Sequence, residues 1–586
     1  MTHIHDDPET FAQTALKGFC DLYPDHVRHV PDGAVRSTAT PAGKVAVVIG
    51  GGSGHYPAFA GYVGPGGADA VVAGDIFASP STQAIARVGK LADRGGGIVF
   101  GYGNYAGDVL NFGAACERLG DHGIDARNLI VTDDIASADP EAHHQRRGVA
   151  GDVVVFKIAG AAAEAGHDID GVMRLAEHAN RRTLSFGVAF DGCTLPGARE
   201  PLFHVEKGRV GVGLGIHGEP GIDEIDALPA ADLAALLVDR LLAERPEGWS
   251  GRAAVILNGL GATKYEELFV LWTHVSDRLR KEGIDLVAPI CGEFVTSLDM
   301  AGCSLTVCFL DDELEPLWQA PTDTPALRKG VIEPRGAAEP LPATVEEIAP
   351  LPEASAASRD DAGRVLQMLR DMDAALADAE HALGQLDAIA GDGDHGRGMR
   401  RGSAAALAAA EDAASAGAGV RSLLARAADS WADRAGGTSG AIWGLILRGL
   451  SDGLSDDTGL SRTGVAEGAR IARDRVERLG GAKPGDKTLV DALVPLVETL
   501  RQATEDGAEA AEIWRRAADA ATDAARETAP MRPRLGRARP LAERSIGHAD
   551  PGAVSLAMCA RVIADRLAGS PGAEAERTLV SDAIAD

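Results

Sequence analysis

The sequence predicts two folds in series, an α/β first half and an all-helical second half. Two observations carry this. Up to about residue 320, short β-branched runs alternate with helical ones. Past a proline- and alanine-dense stretch, the strand period stops and only the helical period continues. Alternation of strand and helix argues for a parallel or mixed sheet, and helices alone argue for a bundle.

The strand signal begins with KVAVVI and returns in ADAVVAGDIF, GGIVFGYG, NLIVTDD, TLSFGVAF, AAVILNG and CSLTVCFL. Between these runs, DVLNFGAACERL, GDVVVFKIAGAAAEAG and KYEELFVLWTHVSDRLRKEG keep the helical period. Residues 1–320 therefore read as one α/β domain. PTDTPALRKGVIEPRGAAEPLPATVEEIAPLP follows, and its prolines remove donors and fix φ, so residues 321–358 read as a linker. In residues 359–586 the period is helical: Val365, Leu366, Leu369, Met372 and Leu376 share one face, and VRSLLARAADSWADRA and TLVDALVPLVETLRQA repeat the pattern.

Composition narrows the class. A formal net charge of −29 disfavours a nucleic-acid footprint, which needs a basic surface. No run of about 18 apolar residues occurs, so no membrane span is expected. The seven cysteines have no CxxC spacing and read as reduced, buried thiols. MTHIHDDPET carries no apolar run, so no signal peptide is expected and the cytoplasm is the expected address.

Three motifs are decoys. GLGIHG at 213–218 matches GxGxxG, but EPGIDEID follows it where a helix should. GGAKPGDKT at 480–488 misses a P-loop, because Asp486 separates Gly485 from Lys487 and a helical run precedes it. DGDHG lacks the remaining ligands of an EF-hand.

Other loops carry chemistry. GGGSGHYPAF at 50–59 follows a strand, and its glycines allow close backbone approach to a ligand. LDAIAGDGDHGRGM places Asp387, Asp392 and Asp394 within eight residues on a flexible turn. Converging carboxylates repel unless a cation binds between them, and Mg²⁺ suits oxygen ligands and phosphates; a solvated acidic turn is the alternative. GGTSG at 436–440 offers hydroxyls and N–H groups at a helix start, where phosphate binds well. GDKT at 485–488 and DPGA at 550–553 are further polar turns, so one rim of the bundle reads as a Mg–nucleotide site.

These pieces together resemble the dihydroxyacetone kinase family. GGGSGH, GNYAGDVLNF, DDIA, GVAGDVVVFKIAGAAAEAG, CTLPG, GLGIHGEPG and FVTSLDMAGCSLT resemble its K domain, and LDAIAGDGDHGRGM, GGTSG, GAKPGDKTLVDAL and ERSIGHADPGA its L domain. The fused order resembles the ATP-dependent branch. The resemblance implies an α/β K domain followed by an antiparallel helical barrel, and an ATP-dependent phosphotransferase acting on a short-chain ketose. It implies that His217 holds the ketone carbon as a hemiaminal, with His55 and Asp108 as the acid/base pair at the reacting hydroxyl. Gly52, Ser53, Gly54, Tyr56 and Gly103 would line the substrate. Asp387, Asp392 and Asp394 would bind two Mg²⁺ ions. His395, Gly396, Gly398, Thr438, Ser439, Thr488, Leu489, Arg544, Asp550 and Gly552 would contact ATP. A homodimer through the K domain is implied as well.

The chain departs from the family at two positions: Tyr56 stands where Glu is usual, and Gly103 where Lys is usual. Loss of a long side chain and gain of a hydroxyl suggest a larger substrate, a four-carbon ketose such as erythrulose. Dihydroxyacetone is the alternative substrate, with glyceraldehyde kinase or FMN-cyclase side activity, and a ligand sensor without catalysis is the rival from another class.

Overall fold

The computed structural model describes residues 4–219, 221–341, 351–389, 391, 393–535 and 542–569. The chain divides into two compact units, residues 1–345 and 346–586.

In the first unit, β1 (Val27–Val30), β2 (Gly33–Arg36), β3 (Ala46–Ser53), β4 (Ala70–Ile76), β5 (Ile98–Gly103) and β6 (Ala126–Val131) form one sheet in the order β1-β2-β4-β3-β5-β6. β4, β3, β5 and β6 are parallel, because helices Thr82–Ala92 and Ala106–Gly120 carry the chain back between them. A second sheet contains β7 (Thr183–Asp191), β8 (Arg209–Val212), β9 (Asp223–Asp226), β10 (Arg252–Gly259), β11 (Asp285–Leu286), β12 (Ile290–Gly292) and β13 (Ala301–Phe309). Its order is β11-β10-β13-β7-β8-β9, with β12 pairing β10, and its long central strands are antiparallel.

Helix Asp152–Glu164 has no polar face: Val153 through Ala163 are all buried. The reason is packing. Its apolar residues share one core with Val47, Ile49 and Val99 of the first sheet and Ala254, Ile256 and Cys308 of the second. Functional loops therefore emerge from strand ends that a common core holds still.

The predicted linker needs correction at its beginning. A short hairpin, β14 (Thr322–Asp323) with β15 (Arg328–Lys329), closes on the first unit. Thr322, Thr324 and Leu327 are buried, and Lys329 Nζ lies 3.9 Å from the Trp318 ring centroid. Prolines at 321 and 325 flank or cap this hairpin and break no ladder bond, which the composition of the stretch could not reveal. The first helix of the second unit starts at Ala356 behind an Ser355 cap.

The second unit is a closed ring of helices. Ala356–Asp387, His395–Ser415, Val420–Ala435, Gly437–Asp452, Arg462–Gly480, Leu489–Glu505, Ala510–Glu527 and Pro551–Ala568 each pack on the next, and the last packs on the first. Short loops force antiparallel neighbours. Trp431 and Trp443 stack in its interior at 4.8 Å. Among the described residues no helix is long and apolar enough to cross a membrane.

Gly402 lies against that indole pair, where an added Cβ would sit 2.5 Å from Trp431 Nε1. Gly402→Ala should destabilise the helical unit by about 1–3 kcal/mol. A lower thermal midpoint in circular dichroism is the expected readout.

Candidate active site

Two imidazoles meet at the strand ends of the first unit. His55 follows β3 and is 2% exposed. Its Nδ1 donates to the Thr296 carbonyl at 2.7 Å, because a carbonyl can only accept. That leaves the Nε2 lone pair of His55 facing His217 Nε2 at 3.1 Å. Burial, then His217, push the His55 imidazole down to about 3, so the ring is neutral near pH 7.

His217 sits in the turn between β8 and β9. Its Nδ1 lies 3.1 Å from Glu219 Oε1, and its backbone N–H donates to Glu219 Oε2 at 2.9 Å. Burial opposes the Glu219 charge, yet His217 and Arg147 hold the carboxyl well below the usual range. Arg147 is fixed in turn by Asp134 at 2.8 Å and by the Gly213 carbonyl. A carboxylate on Nδ1 selects the tautomer whose Nε2 carries the lone pair, the arrangement a nucleophilic imidazole needs. The rings of Phe77, Tyr105 and His55 stand edge-on around His217, with centroids 5.1, 4.5 and 4.9 Å away.

Asp108 lies in the first turn of helix Ala106–Gly120 and is buried, with Oδ1 lacking any hydrogen-bond partner. Burial raises its carboxyl to about 7, against the opposing pull of Ser79 and His217. Thr296 and His217 stand at the two His55 nitrogens. The site thus offers a neutral imidazole and a carboxyl with one unpartnered oxygen.

The glycines of the loop have a second reason to exist. An added Cβ at Gly52 would lie 2.7 Å from Ala78 N, and at Gly54 2.7 Å from the Phe77 ring. Gly54 also has φ +106°, and Phe77 itself adopts φ +55°. The loop thus accepts the Phe77 turn as well as any ligand. Ser53 Oγ donates to the Gly74 carbonyl at 2.6 Å and is committed to the sheet.

Tyr56 turns away from the imidazoles. It is 54% exposed, and its ring stands 5.9 Å from Phe19 beside Tyr23. Gly103 stays close to the site but behind Tyr105. Glu219, Thr296, Phe77 and Tyr105 were not singled out from sequence; only Glu219, two residues beyond His217, left a signal there.

In the second unit, Asp387 ends the first helix and accepts from His395 N at 3.3 Å. Asp394 precedes the next helix without making a capping bond. Burial and then Asp387 raise its carboxyl. Asp392 lies outside the described residues, and among the described ones no three ligating side chains stand together. His395 is buried between Ser439 Oγ at 3.3 Å and Ser555 Oγ at 3.0 Å, which joins three helix starts at one rim.

Thr438 lies in the first turn of Gly437–Asp452. Thr488 and Asp550 cap their helices by accepting from Val490 N and Ala553 N. Burial raises Asp550 to about 7, and Asp491 and Asp387 add to the shift. Gly552 approaches Leu489, with an added Cβ 3.2 Å from Leu489 Cβ. Gly396 serves helix packing, since its Cβ would sit 1.9 Å from the Glu380 carbonyl, while Gly398 faces the Ala435 carbonyl at 3.4 Å. Arg544 is exposed on Ala542–Ser545, and Lys487 donates to the carbonyls of Ala529, Met531 and Ser545 beside it. The near-P-loop lysine is thus a loop staple.

Residues 17–326 match the model of a Dak1 domain, and 389–565 that of a DAK2 domain. The chain is 53% identical to a D-erythrulose kinase of Mycolicibacterium smegmatis over 570 residues, covering 96% of this chain and 98% of the relative. It is 52% identical to an L-erythrulose kinase of Pectobacterium atrosepticum over 565 residues, 95% of each. The crystal structure of the dihydroxyacetone kinase from C. freundii in complex with AMP-PNP and Mg²⁺ gives a TM-score of 0.52 at 29% identity, covering 96% of this chain and 99% of that one. The chain belongs to the dihydroxyacetone kinase family.

A carboxyl raised to about 7 is protonated below that pH and cannot accept a proton there. With His55 neutral throughout, kcat/KM for ketose phosphorylation should rise about tenfold per pH unit below 7 and level off above it. Asp108→Asn should remove this limb along with most of the activity. Glu219→Gln should lower kcat/KM about 10–100-fold, with the pH midpoint kept.

Proposed function

We propose that this chain phosphorylates a terminal hydroxyl of a four-carbon ketose such as erythrulose, using ATP and holding the ketone carbon on His217. The reaction class is phosphotransfer to an alcohol. The observation that carries the reading is the carboxylate-held His217, whose Nε2 faces a neutral, buried His55 at 3.1 Å. Relatives that are D- and L-erythrulose kinases at 53% and 52% identity support the choice of sugar.

The Nε2 lone pair of His217 adds to the ketone carbon, the C=O π bond opens, and the oxygen takes a proton, giving a hemiaminal. The oxygen's proton comes from solvent, the Nδ1 hydrogen of the adduct leaves by way of Glu219, and His55, kept neutral by burial, can accept a hydrogen bond from the new hydroxyl. The adduct anchors the sugar, so the remaining hydroxyl has one orientation. Asp108, with its free Oδ1, accepts that hydroxyl's proton as the oxygen attacks the γ-phosphorus and ADP leaves.

Asp387, Asp392 and Asp394 would hold two Mg²⁺ ions, whose chemistry is to neutralise the phosphate oxygens. The fit rests on the donor set, carboxylates within eight residues at a turn between two helices, with Asp387 Oδ2 3.3 Å from the His395 backbone nitrogen. Helix starts at His395, Thr438, Thr488 and Gly552 would receive the phosphates. Arg544 would approach the transferred charge. The reading carries with it a homodimer through the first unit and a cytoplasmic setting.

A steady-state panel with ATP, dihydroxyacetone, glyceraldehyde and both erythrulose enantiomers tests the proposal. One enantiomer should exceed dihydroxyacetone by about tenfold or more in kcat/KM, the measure of discrimination. Dihydroxyacetone ranking above both enantiomers would overturn the sugar, and turnover of a flavin dinucleotide in place of ketose would overturn the activity. Asp394→Ala should cost roughly a thousandfold in kcat.

A further inference from the structure

Given the ketose-kinase function proposed, the length of sugar accepted depends on what stands beside the carbon bonded to His217. Two aromatic walls do so, Phe77 and Tyr105. Phe77 fills the space of the missing Gly54 side chain, 2.7 Å from an added Cβ there, at a residue whose own φ is +55°. Tyr105 is different. Its ring lies over Gly103, and its hydroxyl donates to the Gly148 carbonyl at 3.0 Å.

Two glycines, Gly103 and Gly148, lie against that ring. An added Cβ at Gly103 would lie 3.1 Å from Tyr105 Cε2 and 3.2 Å from the Gly148 carbonyl oxygen. At Gly148 it would lie 2.4 Å from Gly103 Cα. Two side-chain-free residues stand back to back, and the tyrosine reclines into the space they leave. Gly103 needs no left-handed φ, since none is found there, so its lack of a side chain is a matter of room.

We infer that Gly103 and Gly148 set the depth to which Tyr105 withdraws from His217, and that Tyr105 is thereby the residue that determines ketose length. Tyr105 touches the nucleophilic ring at its edge, and a ring pushed forward by a few tenths of an ångström takes its space from the substrate. A single methylene of pocket space is commonly worth about 10–200-fold in discrimination.

The test compares kcat/KM for dihydroxyacetone, erythrulose and a five-carbon ketose in the wild-type protein, Gly103→Ala and Tyr105→Leu. Gly103→Ala should lower the erythrulose-to-dihydroxyacetone ratio by about tenfold or more. Tyr105→Leu shortens the wall and should raise the five-carbon-to-erythrulose ratio by a similar factor. The second variant decides the matter if the first does not fold. Ratios within about twofold of wild type in the folded variants would overturn the inference, because a merely structural role lowers all sugars together. A wild-type preference for dihydroxyacetone with ratios that still shift would sink the proposed sugar and leave the wall standing.

Discussion

Two imidazoles meet nitrogen to nitrogen because each has already committed its other nitrogen. Thr296 takes the Nδ1 hydrogen of His55, and Glu219 stands at Nδ1 of His217. Everything else in the first unit's site is arranged around that 3.1 Å contact. Arg147 keeps Glu219 ionised, Asp134 keeps Arg147 in place, and three aromatic edges keep the His217 ring from turning. Such a chain of commitments leaves one lone pair uncommitted and aims it.

Burial then separates the roles of the ionisable groups. Desolvation pushes a histidine down and a carboxyl up, so His55 and Asp108 move in opposite directions from a single cause. Near neutral pH the imidazole is uncharged and the carboxyl is poised to exchange a proton. The second unit uses crowding as well. Asp394 and Asp550 are raised by burial and by the neighbouring Asp387, which favours either protonation or a cation.

The architecture was legible wherever a period was long. Strand and helix runs and the helical second half follow from the pattern of apolar residues, whereas the units divide at 345/346, past the expected break near 320. The hairpin at 322–329 was hidden, because two-residue strands have no period to read and prolines disguised them. Of the site, His55, His217, Asp108 and the acidic turn were legible through motifs. That the Tyr56 ring stands half-exposed beside Phe19 could not be read from its place next to His55 in the sequence.

By itself the sequence determined the order of the two folds and the residue types at the loops, because these depend on local periodicity and on glycine-rich turns. Tertiary structure alone decided the partners. That His55 meets His217 across 162 positions, that Asp108 Oδ1 is left without one, and that Gly103 makes room for Tyr105 against Gly148 are all contacts between distant segments. The physical reason is that protonation and pocket size are set by burial and by a few tenths of an ångström of packing, which arise only when separate strand ends are brought together over one core.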